Sequence, residues 1–245
     1  MQRTLYIYYR HVHAKAEKNS RDPNKQRPDW FSYESCFRNL LSTIRNDPQG
    51  QFVNLTVMFD GNTADFIDDF ISKYFVNEGI NFKIEFLNAG SDRNSALITL
   101  DYIYKAKISK DNLVYMLEND YMHQPGWVSK VFELYNSKIK FDYLSLYDHN
   151  DKYFLKMYEE LTSQIFHSDT HHWRTAPSSC GSFIFEITQY YLDFDIFKEG
   201  LADYYLFNDL VNKRNRILLT AIPGLSTHCM EGYLSPTINW KSYMY

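Results

Sequence analysis

The first half of the chain alternates between two hydrophobic periodicities. Short runs rich in β-branched and aromatic residues predict strands, and apolar residues at helical spacing between these runs predict helices. The predicted strands are 4–9, 52–59, 81–87 and 113–117. The predicted helices are 32–45, 62–76, 94–105 and 125–135. Strand and helix in regular alternation predict a parallel, doubly wound sheet with right-handed crossovers.

After residue 140 the pattern becomes less regular. Shorter strands are predicted at 141–147, 153–158, 164–170, 182–187 and 217–222. Helices are predicted at 189–197 and 201–213. The segment that follows residue 222 has the composition of a loop, and it could fold over a ligand as a lid. We therefore expect one compact domain over 1–245, with a change of character near residue 137.

Polar residues follow each of the first four predicted strands. In an open parallel sheet, ligands bind outside the carboxyl ends of the strands, so these side chains are expected to share one site. The residues in question, in chain order, are Tyr9, Arg10, His11, Asp60, Asn88, Asp92, Arg93, Glu118, Asn119 and Asp120.

Glu118 and Asp120 are the strongest candidates for metal chemistry. Two carboxylates at positions i and i+2, directly after an apolar strand in the sequence, can direct oxygen ligands to a divalent cation. Such a cation completes its coordination with diphosphate oxygens and water, and it offsets charge on a leaving diphosphate. A solvated acidic turn would have the same sequence, but the burial expected for 113–117 and the Pro-Gly-Trp turn at 125–127 favour a site.

The segment 117–127, Leu-Glu-Asn-Asp-Tyr-Met-His-Gln-Pro-Gly-Trp, resembles the DxD segment of family 2 GT-A glycosyltransferases. The segment 88–96 is similar to the Asn-x-Gly…Arg-Asn segment of that family, and Asp60 stands where the family has an aspartate after its second strand. The resemblance covers residues 4–127. It implies a GT-A (Rossmann-like) α/β fold, with a mixed, mostly parallel central sheet flanked by helices.

The same resemblance implies that the two halves of the domain bind different substrates. Residues 1–137 would bind a nucleotide-sugar donor, and 138–245 would bind the acceptor and supply a C-terminal lid. Asp60 would accept a hydrogen bond from the imide N–H of uracil or thymine. Arg93 would approach the base or the diphosphate. The donor-binding set implied in this way is Tyr9, Arg10, Asp60, Asn88, Arg93, Glu118, Asn119 and Asp120.

The metal and the catalytic base follow from the resemblance too. Asp120 would be the principal metal ligand, while Glu118, in place of the usual first aspartate, would contact the ribose or reach the metal through water. The segment 222–228 resembles a late histidine segment, in which His228 would add a nitrogen ligand and favour Mn²⁺ over Mg²⁺. The segment 199–206 resembles an acidic helix start and makes Asp203 the candidate base that takes the acceptor proton, with Asp209 and Asp148 as weaker alternatives.

The acceptor side is less distinct in sequence. The turn at 179–184 resembles the small-residue segment that lines the acceptor site, which implies roles for Gly181 and Ser182. The stretch 167–174 is predicted to be a loop or edge strand that faces the acceptor, with Trp173 on the acceptor side. The acceptor itself would be a glycan, a lipid-linked sugar or a protein hydroxyl.

Charge and cysteine content exclude several other classes. The net charge is −4, with 26 basic and 30 acidic residues well mixed, so a nucleic acid is not an expected partner. A small basic cluster at 15–27 is predicted to be a loop that could meet one anionic ligand. The three cysteines lie far apart, which predicts a reducing, cytoplasmic compartment rather than a disulfide framework. No stretch approaches the roughly 18 apolar residues of a membrane span, so membrane contact would be peripheral.

The resemblance therefore implies a metal-dependent hexosyltransferase-type enzyme, inverting, with a UDP- or dTDP-sugar donor and Mn²⁺ or Mg²⁺. One alternative is a catalytically weak or inactive nucleotide- or carbohydrate-binding module of the same fold. Another is a sugar nucleotidyltransferase. That class usually has a glycine-rich loop after the first strand, whereas no glycine lies between Tyr9 and Trp30.

Overall fold

The computed structural model of the protein describes residues 3–13, 26–75, 80–200 and 202–244. Its strands are β1 Leu5–Val12, β2 Val53–Asp60, β3 Asn81–Leu87, β4 Leu113–Glu118, β5 Tyr121–His123, β6 Tyr143–Ser145, β7 Ile165–His167, β8 His172–Thr175, β9 Phe183–Glu186, β10 Leu218–Ile222 and β11 Ser226–His228. Its α-helices are α1 Tyr33–Arg45, α2 Thr63–Asp68, α3 Asp92–Lys105, α4 Trp127–Tyr135, α5 Ile187–Phe197 and α6 Asp203–Arg214.

Nine strands form the central sheet in the order β3-β2-β1-β4-β9-β6-β10-β8-β7. The first four strands are mutually parallel, as the alternation of strand and helix predicts. Within the described chain, β9 and β8 run against the other strands of this sheet. The predicted fold class is confirmed, because this is an α/β protein with a mixed, mostly parallel sheet between helices.

The central strands are buried on both faces, which explains their near-continuous apolar sequences. In β1 and β4, Ile7 and Leu117 pack into one core cluster, while Tyr8 and Met116 pack into a second cluster on the opposite face. Polar side chains can therefore reach solvent only where these strands end. The fold thus concentrates the polar chemistry at the carboxyl edge of the sheet.

Several predicted elements differ from the structure. The predicted strand 153–158 is wrong: two short 3₁₀ helices, Asn150–Tyr153 and Lys156–Tyr158, occupy this region. Its aromatic residues imitate a strand pattern, but Tyr153 and Phe154 are each 54% exposed and have no sheet to cover. The predicted strand 164–170 forms only at β7, an edge strand.

Helix boundaries differ where capping groups intervene. The predicted helix 62–76 is divided, because Asp69 accepts a hydrogen bond from the Ile71 N–H and starts a separate 3₁₀ helix, Phe70–Tyr74. Val76 lies outside the described residues, as does Leu201 of the predicted helix 201–213. Ser91 caps α3, which begins two residues earlier than predicted.

The segment after β10 is more ordered than the predicted loop. Strand β11 pairs antiparallel with β5, the short strand that directly follows the acidic motif. A small apolar cluster anchors this pair and includes Phe31, Met122, Cys229 and Trp240. Two sequence-distant segments are thereby held at the same edge of the molecule.

Among the described residues, no helix combines the length and apolar character needed to cross a membrane.

Candidate functional site

A cavity of about 460 Å³ opens at the carboxyl ends of β1, β2 and β4, beside the first turn of α3. Its walls include predicted donor and metal residues from separate segments of the chain. The lining residues include Arg10, Asp60, Glu118, Asn119, Asp120 and His228, together with Arg27, His11 and Asp92. The structure therefore places most of the predicted donor site around one space, which we call the main cavity.

Asp120 and His228 form the polar centre of this cavity. The His228 Nε2 lies 2.9 Å from Asp120 Oδ2, although 108 residues separate the two in sequence. The β5–β11 pairing holds the imidazole in place, since His228 stands opposite Tyr121 and stacks on its ring at an interplanar angle of 3°. Asp120 Oδ2 also accepts a 2.6 Å hydrogen bond from Arg27 Nη2.

Charge strongly shapes this cluster. Burial alone would raise the pKa of Asp120, but the charges of His228 and Arg27 outweigh it and hold that pKa well below its ordinary value. Burial likewise opposes the charged form of His228, yet Asp120 raises the pKa of the imidazole. The carboxylate of Asp120, the imidazole of His228 and the guanidinium of Arg27 therefore form one compact cluster of interacting groups.

Asp120 and His228 fit a divalent cation site with open positions. The Asp120 Oδ1 is buried and has no hydrogen-bond partner in the part of the chain that the structure describes. No group of three or more His, Cys, Asp or Glu residues suited to an ion occurs among residues 3–13, 26–75, 80–200 and 202–244. Two protein ligands suit an ion that takes its remaining ligands from diphosphate and water.

Glu118 belongs to a second ionic cluster, centred on Arg10. The buried Arg10 donates through Nη2 to Glu118 Oε1 at 2.8 Å and through Nη1 to Asp92 Oδ1 at 3.1 Å. Burial raises the pKa of Glu118 to about 7, and Arg10 offsets only part of this effect. Arg10 thus lines the cavity, but its guanidinium is already engaged by two carboxylates.

A second cavity, of about 410 Å³, shares Arg10 and Asp92 with the first. We call it the side cavity. Asp203 lines it at the start of α6, where the Gly181 N–H hydrogen-bonds to its carboxylate. Desolvation by the surrounding protein raises the pKa of Asp203, against the opposing effect of Arg10. The remaining wall is largely apolar and includes Leu97, Leu100, Met116, Phe183, Phe197 and Leu206.

Some predicted site residues lie away from the main cavity. The buried Tyr9 donates its hydroxyl to the Asn119 carbonyl, so it supports the acidic motif rather than lining the cavity. Asn88 is exposed and is not part of the cavity wall. Arg93 lines the side cavity instead of the main one and donates to the Glu199 carbonyl at 3.4 Å.

The acceptor-side prediction for Trp173 does not agree with the structure. Trp173 is fully buried, and its indole N–H donates to Ser168 Oγ at 2.9 Å, so no face of the ring can meet an acceptor. Gly181 lines the side cavity, and its acceptor-side role stays a prediction. Ser182 is buried and accepts the backbone N–H of Glu118, so it positions Glu118.

Sequence reasoning missed the pairing of His11 with Asp69. Asn119 Nδ2 lies 3.2 Å from His11 Nδ1, and His11 Nε2 lies 3.0 Å from Asp69 Oδ2. Because an amide nitrogen only donates, His11 accepts at Nδ1 and donates from Nε2. This chain of bonds fixes the central residue of the acidic motif. Asp69 lies inside a predicted helix, so its sequence position carried no signal of this role.

Arg27 was also missed as a site residue, although the basic cluster that it ends was predicted to meet an anionic ligand. Arg27 and Asp120 are 93 residues apart in sequence. A basic residue in such a cluster gives no sequence signal of a specific partner.

Comparisons with known proteins agree with this architecture. No protein-family model matches the sequence, and no curated protein sequence matches it. The structure is similar to that of GalNAc-T7 with UDP, GalNAc and Mn²⁺, with a TM-score of 0.56 and 10% identity. The similarity covers 95% of this chain and 45% of that one. The fold is a GT-A-like glycosyltransferase fold.

A second similar structure is that of residues 1–349 of TarS from S. aureus in complex with UDP. The TM-score is 0.50 and the identity 13%, over 89% of this chain and 57% of that one. The present chain therefore spans about half the length of these two structures. At such low identity the likeness establishes the fold, and the activity has to be argued from the site.

Proposed function

We propose that the protein is a metal-dependent glycosyltransferase that moves a sugar from a UDP- or dTDP-sugar to a hydroxyl acceptor. The observation that carries the proposal is the meeting of Asp120 and His228 at a single carboxylate oxygen inside the main cavity. An aspartate and a histidine from distant segments would hold Mn²⁺ or Mg²⁺ there. The similar GalNAc-T7 structure, which contains UDP and Mn²⁺, is consistent with this proposal.

The main cavity would hold the donor. Asp60 uses Oδ1 to accept the Ala89 N–H at 2.8 Å, and its second oxygen would accept the imide N–H of uracil or thymine. Glu118 would contact the ribose from beside Arg10. When bound, the divalent ion would supply positive charge that offsets the negative charge of the departing diphosphate. These contacts would hold the donor at the rim of the sheet.

The side cavity would hold the acceptor. Asp203 would accept the proton of the acceptor hydroxyl as its oxygen attacks the anomeric carbon, and the carbon–diphosphate bond breaks on the opposite face. A carboxylate with a raised pKa is a better proton acceptor than an ordinary aspartate, which suits this role. Attack opposite the leaving group would invert the anomeric configuration. Gly181 would border the acceptor, which would present the hydroxyl of a glycan, a lipid-linked sugar or a protein.

Calorimetric titration with UDP, with Mn²⁺ or with EDTA, tests the donor half of the proposal. We expect binding that requires Mn²⁺ in the wild-type protein, and we expect Asp120→Asn to abolish it. Asp195→Asn is the matched control, because Asp195 is exposed and pairs with Arg214 at the surface. UDP binding by Asp120→Asn at wild-type affinity would contradict the site assignment.

Nucleotide release then separates transfer from the alternatives. Metal-dependent release of UDP from a UDP-sugar, enhanced by an acceptor, supports a transferase. Binding without release across a panel of donors and acceptors would support a binding module. Formation of pyrophosphate from a nucleoside triphosphate and a sugar phosphate would support a nucleotidyltransferase.

A further inference from the structure

Arg27 occupies the position at which a cation would be expected. Its Nη2 donates to Asp120 Oδ2 at 2.6 Å, and its Nη1 donates to the Cys229 carbonyl at 2.9 Å. The guanidinium lies over the Phe31 ring, with 4.9 Å between the central carbon and the ring centroid. The side chain is only 15% exposed and lines the main cavity. These contacts hold the Arg27 side chain in a defined position at the site.

The oxygen that Arg27 contacts is also the oxygen that faces His228. In the proposed function, Asp120 and His228 hold a divalent ion, so the guanidinium and the ion require the same carboxylate. Two cations that approach one carboxylate repel each other, whether the ion takes Oδ2 or the unpartnered Oδ1, and the repulsion is strong in a partly buried site because water screens it poorly. An ion bound by Asp120 and His228 would therefore push Arg27 from its present position.

The released guanidinium would remain at the wall of the donor cavity. Its planar fork of N–H groups matches two oxygens of a phosphate, and such charge-assisted pairs are among the strongest hydrogen bonds in proteins. A diphosphate bound beside Asp120 would be within the region that Arg27 already lines. The hydrogen bond from Arg27 to Asp120 would then give way to hydrogen bonds to an anion of greater charge.

We propose that Arg27 is an exchangeable counter-ion, which neutralises Asp120 in the donor-free protein and contacts the diphosphate of the donor when a divalent ion is held by Asp120. This inference rests on the proposed function. It adds a diphosphate-binding residue from a segment outside the glycosyltransferase-like motifs. It also implies that Arg27 weakens the binding of the ion alone while it strengthens the binding of nucleotide with ion.

The test is that removing Arg27 should change the affinity for the ion alone and the affinity for nucleotide with ion in opposite directions. In Arg27→Ala, the affinity for Mn²⁺ alone, measured by electron paramagnetic resonance, should rise about tenfold. In the same variant, UDP affinity at saturating Mn²⁺, measured by calorimetry, should fall about tenfold because a charge-assisted pair is removed. Arg27→Lys, which keeps the charge but not the fork, should bind Mn²⁺ like the wild type and UDP more weakly.

Arg214→Ala is the matched control, because Arg214 pairs with Asp195 at the surface and should leave both affinities unchanged. A parallel fall of both affinities in Arg27→Ala would show a merely structural role and overturn the proposal, as would two unchanged affinities. If Arg27→Ala does not fold, wild-type UDP affinity in Arg27→Lys overturns it instead. Failure of the wild-type protein to bind UDP with Mn²⁺ would refute the proposed function itself, which is a different result.

Discussion

The backbone of Gly181 lies directly against the carboxylate of Glu118. A Cβ atom at position 181 would stand 2.9 Å from Glu118 Oε1 and 3.1 Å from Oε2, closer than such contacts normally occur. The neighbouring Ser182 Oγ accepts the Glu118 backbone N–H at 3.0 Å. The turn after Cys180 thus contacts both the backbone and the side chain of Glu118, and a side chain at position 181 would fit only if the Glu118 carboxylate moved.

Gly181→Ala should displace the Glu118 carboxylate and disturb its hydrogen bond with Arg10. Because we propose that Glu118 contacts the ribose, UDP affinity in the presence of Mn²⁺ should fall by about tenfold, which corresponds to one disturbed charged hydrogen bond. Calorimetry measures the affinity, and circular dichroism checks that the variant is folded. A folded Gly181→Ala protein with wild-type UDP affinity would separate Glu118 from the donor.

Asp203→Asn should leave donor binding nearly intact and lower turnover by about 100-fold or more, because a general base contributes on this scale. The amide keeps the size of the side chain but cannot accept the acceptor proton. The measurement is UDP release with acceptor present, set beside calorimetric UDP affinity. Equal losses in binding and turnover would instead indicate a structural role at the start of α6.

His228→Ala should weaken Mn²⁺-dependent UDP binding while leaving the Tyr121 region folded. The imidazole is a proposed nitrogen ligand, so its removal should reduce Mn²⁺ affinity more than Mg²⁺ affinity, because Mg²⁺ is a hard ion that prefers oxygen ligands. Competition between the two ions in calorimetry provides the readout. An unchanged preference between Mn²⁺ and Mg²⁺ would remove His228 from the proposed metal site.

Asp193 offers a prediction about stability away from the cavities. The buried carboxylate accepts Arg216 Nη2 at 2.7 Å and Nε at 2.9 Å, and it also accepts the Tyr143 hydroxyl at 2.7 Å. Removing one partner of such a pair leaves a poorly compensated charge, so Asp193→Asn should lower the free energy of unfolding by about 3 kcal/mol. Asp195→Asn, on the exposed face of the same helix, should change it by less than about 0.5 kcal/mol.

The Asp193 effect should depend on pH with a definite sign. Burial would raise the pKa of Asp193, but hydrogen bonds from Arg216, Tyr143 and Gln189 lower it below its ordinary value. A lowered pKa means that the stabilisation is complete above the unfolded-state value of about 3.9 and is lost as the pH falls through the folded-state value. Urea titrations at pH 7 and at acidic pH should measure the free energy of unfolding of both proteins. The difference between wild type and Asp193→Asn should be smaller at acidic pH.

The central strands were predictable from sequence because burial on both faces leaves an unambiguous apolar run, as in β4. Arg10, Asp60, Glu118 and Asp120 were likewise predictable at the cavity, since parallel strands bring their carboxyl ends to one edge. The prediction that His228 and Asp120 share one site rested on the family resemblance alone. Its physical cause is the β5–β11 pairing, which the predicted loop after residue 222 did not contain.

Predictions failed where local pattern and tertiary context disagree. Trp173 was predicted to face the acceptor from a loop or edge strand, but side chains alternate along β8 and place Trp173 in the core while His172 is exposed. The sequence did not indicate a partner for Arg27, because Arg27 and Asp120, which are hydrogen-bonded, are 93 positions apart in the chain. Such pairings become visible only in three dimensions.

The antiparallel pairing of β11 with β5 also has a consequence for synthesis of the chain. The acidic motif at 118–120 leaves the ribosome long before its histidine partner, since 108 residues separate Asp120 from His228. A nascent protein that already contains β1 to β4 therefore still lacks half of its proposed ion site. The proposed ion site can therefore form only after β11 has left the ribosome and paired with β5.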